Sequence, residues 1–422
     1  MTLAAEQIAD LRRFTLKDDR RVPPYFAGRR DILANIEDRL ELMWSERKVS
    51  RASGMTRILY GAPGAGKSST LMHLERKWNA AADDSKFAPR MLYLPTPRSF
   101  ENGELLKARV AEALKPGLGK KVRRSATTTE DSFKLGVDLL GYGRVTRSGS
   151  EPPADPIDAV LQRFPAKKWK RPLVVAIDEF QTSAGDDTSA HARVLQALHG
   201  QEYHAPIMVV LAGLGDTVSR AAQLGISRLA SGASHSLGCF TPDESSELIV
   251  GWGRHFGLPE GVWQDEMRSL AAETDHWPVH VQNALTAFAE QVVACGGVED
   301  VDFAAVRRRS GELQISYYHS RMSPEMHDSK SLLAAAMRDL LPGEDTASIK
   351  YRIGKLAGSR DALGWELPDG MKANGFFKHL VHRGALQQLP DGSVHCPIPS
   401  FRRYMIGLGE QWSGGGLELG HA

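Results

Sequence analysis

The sequence is poor in sulfur. Cys239, Cys295 and Cys396 are its three cysteines, far apart and without a CxxC pair. This excludes a zinc knuckle and a disulfide framework, and makes a reducing, cytoplasmic compartment the expectation. Long apolar runs are also lacking. The longest, Pro172 to Ile177 and Ile207 to Leu214, fall well short of the ~20 residues that cross a bilayer and have the length of buried strands. The opening "MTLAAEQIADLRRF" has no signal-peptide core, so no membrane partner is expected. Charge of one sign is missing as well. The formal net charge is +2 over 422 residues, so bulk charge identifies no partner and only its local distribution is informative. No internal repeat occurs.

What is present suffices for a sizeable core: 42% of the residues are hydrophobic, and the length suggests two or three domains. Apolar strand-like runs at 57–60, 90–97, 172–177 and 206–215, with a short fifth at 235–240, alternate with helical patterns. That alternation predicts an α/β fold with a parallel sheet covered on both faces. Beyond Pro242 the pattern is helical until a hairpin around Pro390-Asp391-Gly392, preceded by helices at 329–341, 346–357 and 370–383. Three helices and a hairpin outline a winged helix. The expected organisation is an N-terminal arm (1–27), a P-loop core (28–241) with a basic insert (115–152), a helical lid (242–320), a winged-helix domain (321–412) and a disordered tail (413–422).

The chemistry is concentrated in "RILYGAPGAGKSSTL", which fits G-x-x-x-x-G-K-[ST]. A loop that wraps a polyphosphate closely excludes bulky side chains, turns its N–H groups inward and ends at a helix N-terminus. Gly61, Ala62, Pro63, Gly64, Ala65, Gly66, Lys67, Ser68 and Ser69 are therefore expected to bind nucleotide. Lys67 would reach the β/γ-phosphates and the Ser68 hydroxyl would coordinate Mg2+. "LVVAIDEF" supplies Asp178 at the end of an apolar strand as the second Mg2+ ligand, and Glu179 as the base that activates water. ATP and Mg2+ are the expected cofactors. Gly213-Leu214-Gly215 lacks the third glycine of a dinucleotide motif. His276 and His280 have Pro278 between them and no third ligand, so they are not read as a metal pair.

The order "GAPGAGKS", "VVAIDEF", a further strand, a helical region and a winged helix resembles an AAA+ ATPase of the origin-recognition and initiator branch, and related bacterial STAND-like ATPases. The resemblance implies four more site positions. "YFAGRRDIL" places Phe26 and Arg29 against the adenine. The polar sensor at the end of the fourth strand would fall to Asp216 or Thr217, where the family usually has Asn. Ser227-Arg228 matches the arginine finger that completes a neighbouring subunit's site, with Arg220 as rival. "HWPVHVQNAL" matches the lid helix of the second sensor and offers His280 where Arg is usual. A homo-oligomer is implied.

Local basic excess then bears on partners. "KKVRR" at 120–124 lies in the insert. The winged-helix region holds Lys350, Arg352, Lys355, Arg360, Lys372, Lys378, Arg383, Arg402 and Arg403, which fits contacts to a phosphate backbone. The expectation is an oligomeric, DNA-associated ATP-hydrolysing motor or loader. The alternative is a STAND-like nucleotide-dependent signalling switch, for example in phage defence, that recruits a separate effector.

Overall fold

The computed structural model describes residues 3–16, 23–47, 55–81, 88–95, 109–110, 113, 169–180, 188–199, 206–226, 229, 232–322, 329–341, 343–357, 366–389 and 391–413. The basic insert, Ser227 and Arg228, Arg360 and the tail from 414 lie outside the described residues.

Five parallel strands form the central sheet: β1 (Met55–Tyr60), β2 (Arg90–Leu94), β3 (Leu173–Ile177), β4 (Ile207–Gly213) and β5 (Ser234–Ser236). Their spatial order is β2-β3-β4-β1-β5. Val175 pairs with Val209, and Arg57 with Val210. Every residue of β3 and β4 is buried, because helices cover both faces of a parallel sheet and alternation is lost. After a first helix, α1 (Ala5–Thr15), one face of the sheet takes α2 (Arg30–Glu46) and α3 (Lys67–Ala80), through Ile36, Leu40, Leu71 and Leu74. The other takes α4 (Thr188–His199) and α5 (Thr217–Gln223), through Val194, Leu195 and Ala221. The expected α/β class with a P-loop sheet is the one observed.

The lid is helical. It comprises α6 (Pro242–His255), α7 (Val262–Glu273), α8 (Pro278–Cys295) and α9 (Phe303–Arg321), with α1 (Ala5–Thr15) packed on α8. Helix α6 starts where "TPDE" predicts: the Thr241 hydroxyl accepts from the Glu244 N–H, Glu244 returns the bond, and Pro242 occupies the first turn. Its core is aromatic, with Trp263 stacked on Phe288 at 4.8 Å and Trp252 edge-on to both.

The C-terminal part consists of α10 (Lys330–Arg338), α11 (Thr346–Leu356), α12 (Ala373–His382), the antiparallel pair β6 (Gln387–Gln388) and β7 (Val394–His395), and α13 (Pro399–Ser413). It is not a loose appendage. Its core residues Leu332, Phe376 and Phe401 belong to the same continuous cluster as Leu59, Ala62 and Ala65 of the sheet and loop. Gly384 lies directly on Pro63: a β-carbon there would meet the Pro63 ring at 2.3 Å. Gln387 covers Gly215 in the same way. Arg403 pairs with Asp275 of the lid at 2.8 Å. Among the described residues no helix is long and apolar enough to cross a membrane.

His280 sits in this packed region, not on its surface. It is 2% exposed, edge-on to Tyr317 and Tyr318 at 5.0 and 5.3 Å, and neither ring nitrogen has a partner. Burial pushes its pKa down from 6.5 to about 3. The folded state therefore holds the imidazole neutral, while the unfolded chain protonates near pH 6.5. That contribution to stability is complete above this pH and lost as pH falls toward 3, with a limiting slope of about 1.4 kcal/mol per pH unit. Denaturant midpoints measured from pH 8 to pH 4 are expected to drop in wild type and to drop less in His280→Leu.

Candidate nucleotide site

Strand β1 ends at Tyr60 and α3 begins at Lys67, so the glycine-rich loop spans the C-terminal edge of the sheet. Its glycines are required by space and by backbone. A β-carbon on Gly61 would meet the Leu237 carbonyl oxygen at 2.2 Å. Gly64 has φ of +81° and lies under Val279 and the Tyr317 hydroxyl. The loop leads into the first turn of α3, and a helix start leaves N–H groups without intrahelical partners, the usual cradle for an anion. Lys67 is 6% exposed and donates to the carbonyls of Gly61 at 2.8 Å and Ala62 at 3.0 Å. Burial lowers its pKa, against the opposing pull of Glu179 and Asp178.

Asp178 follows the last residue of β3 and is 1% exposed. Burial raises its pKa, while hydrogen bonds from Ser68 and Tyr93 hold it down. The Tyr93 hydroxyl donates to Oδ2 at 3.0 Å and the Glu179 N–H to Oδ1 at 2.9 Å. Ser68 and Asp178 thus meet as a pair of hard oxygen donors, which fits Mg2+. Glu179 lines the same cavity as Lys67 and Ser68. Its φ is +50°, a left-handed backbone that costs a non-glycine residue ~1–3 kcal/mol and is found mainly where function requires it. The site therefore brings together four side chains from two segments more than 100 residues apart.

The cavity has a volume of about 540 Å3, within the usual range for small ligands. One end is the phosphate loop, Pro63 to Ser69. The other is apolar, formed by Tyr25, Phe26, Phe240, Leu248, Pro278 and Val279. Phe26 stacks on His73 at 4.2 Å. Arg29 lines the wall, but its N–H groups are engaged by the carbonyls of Gly238 at 2.5 Å, Ala65 at 3.2 Å and Cys239 at 3.5 Å. It braces the loop against the chain leaving β5, and burial lowers its pKa.

The remaining expected positions are dispersed. Asp216 stands at the N-cap position of α5 without a side-chain capping bond, and is absent from the cavity wall; its Oδ1 is buried without a partner. The Thr217 hydroxyl donates to the Leu214 carbonyl at 2.5 Å. His280 faces away from the cavity, and its helix neighbours Val279 and Gln282 face it instead. Arg228 lies outside the described residues. Sequence reasoning missed Tyr93, Phe240, Gln282 and Tyr317. Tyr93 carried a usable signal, since a tyrosine in the strand beside β3 can point the same way as Asp178; the others come from distant elements.

No protein-family model matches the chain, and no curated protein matches it in sequence. Solved structures do resemble it. The Aeropyrum pernix ORC2 protein in its ADPNP-ADP complexes aligns at TM-score 0.51 and 15% identity, over 95% of this chain and 97% of that one. Its ADP form aligns at TM-score 0.52 and 16% identity, over the same 95% and 97%. From the sheet order to these whole-chain alignments, the chain has the fold of the ORC2 structures.

Proposed function

We propose that this chain binds and hydrolyses ATP with Mg2+ and couples the cycle to DNA as an oligomer. The observation that carries the reading is that Lys67, Ser68 and Glu179 line one cavity with an apolar far wall, with Asp178 bonded to Ser68. The loop N–H groups and Lys67 would hold the β- and γ-phosphates. Mg2+ bound at Ser68 and Asp178 would neutralise phosphate charge. The Glu179 carboxylate would take a proton from the attacking water. Arg228 from a neighbouring subunit would face the terminal phosphate and stabilise charge building there. Adenine would lie between Tyr25, Phe26, Phe240 and Val279.

The winged-helix segment supports DNA as partner, with a smaller basic set than the sequence suggested. Arg352 is paired with Glu344 at 2.5 Å, Arg402 caps the carbonyls of Met337, Arg338 and Leu340, and Arg403 holds the lid. Lys355 on α11, Lys372 just before α12, and Asn374 and Lys378 on α12 remain exposed. Lys350 lies over the Phe377 ring at 5.2 Å.

One observation favours the switch reading. The turn at Gly384 and strand β6 sit on Pro63 and Gly215, so the C-terminal domain covers the loop that would hold phosphate. A nucleotide-gated release of that domain is the mechanism this contact permits.

Lys67→Ala is expected to abolish nucleotide binding in calorimetry. Glu179→Gln is expected to bind ATP while losing turnover by at least ~10²-fold. Near-normal hydrolysis would place the base elsewhere. For DNA, Lys372→Ala with Lys378→Ala should weaken duplex binding and reduce the log affinity against log salt slope by about 2; an unchanged slope would remove these lysines from the interface. Gly384→Val, blocked by its φ of +72° and by Pro63, should free the domain and speed ADP exchange. Unchanged exchange would leave the contact without a switching role.

A further inference from the structure

The two ends of the cavity are mounted on different parts of the molecule. The phosphate loop belongs to the sheet, between β1 and α3. Tyr25, Phe26 and Ala27 line the apolar end, and their segment rests on the first helix of the lid. Along α6, Glu244, Leu248 and Gly251 follow one another at i, i+4 and i+7, which places them on one stripe. Leu248 is itself part of the cavity wall. Gly251 takes the Tyr25 ring, which a β-carbon there would meet at 2.2 Å. Glu244 takes the turn at Gly28, where a β-carbon would meet its carboxylate at 2.7 Å. Arg30 and Glu247 pair beside this stripe at 2.9 Å.

The Glu244 carboxylate holds two elements at once. Its Oε2 accepts the Thr241 N–H at 2.9 Å and closes the capping box of α6. Its Oε1 accepts the Arg29 N–H at 2.6 Å. Arg29 is the N-cap residue of α2, and its own side chain makes no capping bond. One negative charge therefore stands at the N-terminal ends of two helices, where both helix dipoles favour it. The backbone held in this way is strained. Gly28 has φ of +72° and Arg29 of +59°, and the second is a left-handed conformation that a non-glycine residue keeps only when its surroundings impose it.

We infer that Glu244 is the positioning residue for the nucleobase end of the cavity. It is not part of the cavity wall. It acts through the Gly28–Arg29 turn, which sets Tyr25 and Phe26 against α6. This rests on the nucleotide reading of the cavity and adds a division within it: the sheet holds the phosphates, and the first lid helix carries the base wall. ATP and ADP share the base, so what Glu244 contributes is the same for both.

The test is calorimetric titration of the full chain with Mg-ADP and with a non-cleavable Mg-ATP analogue. The variants are Glu244→Ala, Gly28→Ala, Thr241→Val, Phe26→Ala, and Glu244→Ala combined with Phe26→Ala. Glu244→Ala should weaken both nucleotides about tenfold, the scale of one hydrogen bond to a charged acceptor. Gly28→Ala, which pushes the carboxylate off the turn while the capping box stays intact, should reproduce that loss. In the Phe26→Ala background, Glu244→Ala should cost less than about twofold, because the wall it positions is already gone. Thr241→Val removes the acceptor of the Glu244 N–H, at 3.2 Å, and spares the bond to Arg29. It should lower the denaturation midpoint and leave both affinities within about twofold. Three results would overturn the inference. Unchanged affinity in Glu244→Ala or Gly28→Ala would remove the contact from binding. A loss confined to the ATP analogue would mean an effect on the phosphate loop through Arg29. Additive losses with Phe26→Ala, or a Thr241→Val loss as large as that of Glu244→Ala, would mean a general effect of lid stability. Failure of the underlying reading looks different: wild type would bind neither nucleotide, or Lys67→Ala would bind both.

Discussion

The structure turns on Pro63. Its carbonyl accepts the Tyr317 hydroxyl, its ring carries Gly384, and its own chain is the rim of the phosphate loop. Through one residue α9 and the C-terminal segment are each tied to the part of the sheet that would hold phosphate. Neither tie is strong alone: a hydrogen bond nets roughly 1 kcal/mol and an apolar contact of this size about the same. Their weight comes from the continuous core behind them, which runs from Leu59 and Ala65 through Tyr318 to Phe401. A domain joined this way has few intermediate positions, because packed interfaces are bistable rather than compliant.

The site itself concentrates backbone strain and buried charge. Arg29 and Glu179 are two of only four non-glycine residues with positive φ among those described, and both border the cavity. Lys67 is buried on two carbonyls, and Asp178 is buried between Ser68, Tyr93 and the Glu179 N–H. Such groups are costly unless they are hydrogen-bonded, and each is. The hydrogen bonds preset the positions of the side chains, so a bound polyphosphate exchanges one set of partners for another instead of ordering free chains.

The elements that could be read from sequence are those whose cause is local. The five strands lie close to their expected places because β3 and β4 are apolar from end to end, and α6 starts at Thr241 because its cap is written in four consecutive residues. The loop and the Asp-Glu pair belong to the same class. What could not be read is the phase of one element against another. In α8, Pro278 fixes the helix start, and that turns Val279 and Gln282 to the cavity and His280 into the aromatic core. A histidine beside a proline shows nothing of this. Arg29 fits an expected nucleotide neighbour by position, yet its donors go to Ala65, Gly238 and Cys239, partners supplied only by the folded chain.

The same distinction separates the basic residues. Counted along the chain, Arg352, Arg402 and Arg403 are indistinguishable from Lys372 and Lys378. In the fold the arginines are engaged, by Glu344, by the carbonyls ending α10 and, for the exposed Arg403, by Asp275, and the lysines face out. That division follows from side-chain chemistry. A planar guanidinium satisfies several fixed acceptors at once and is weakly hydrated, while an ammonium keeps its water.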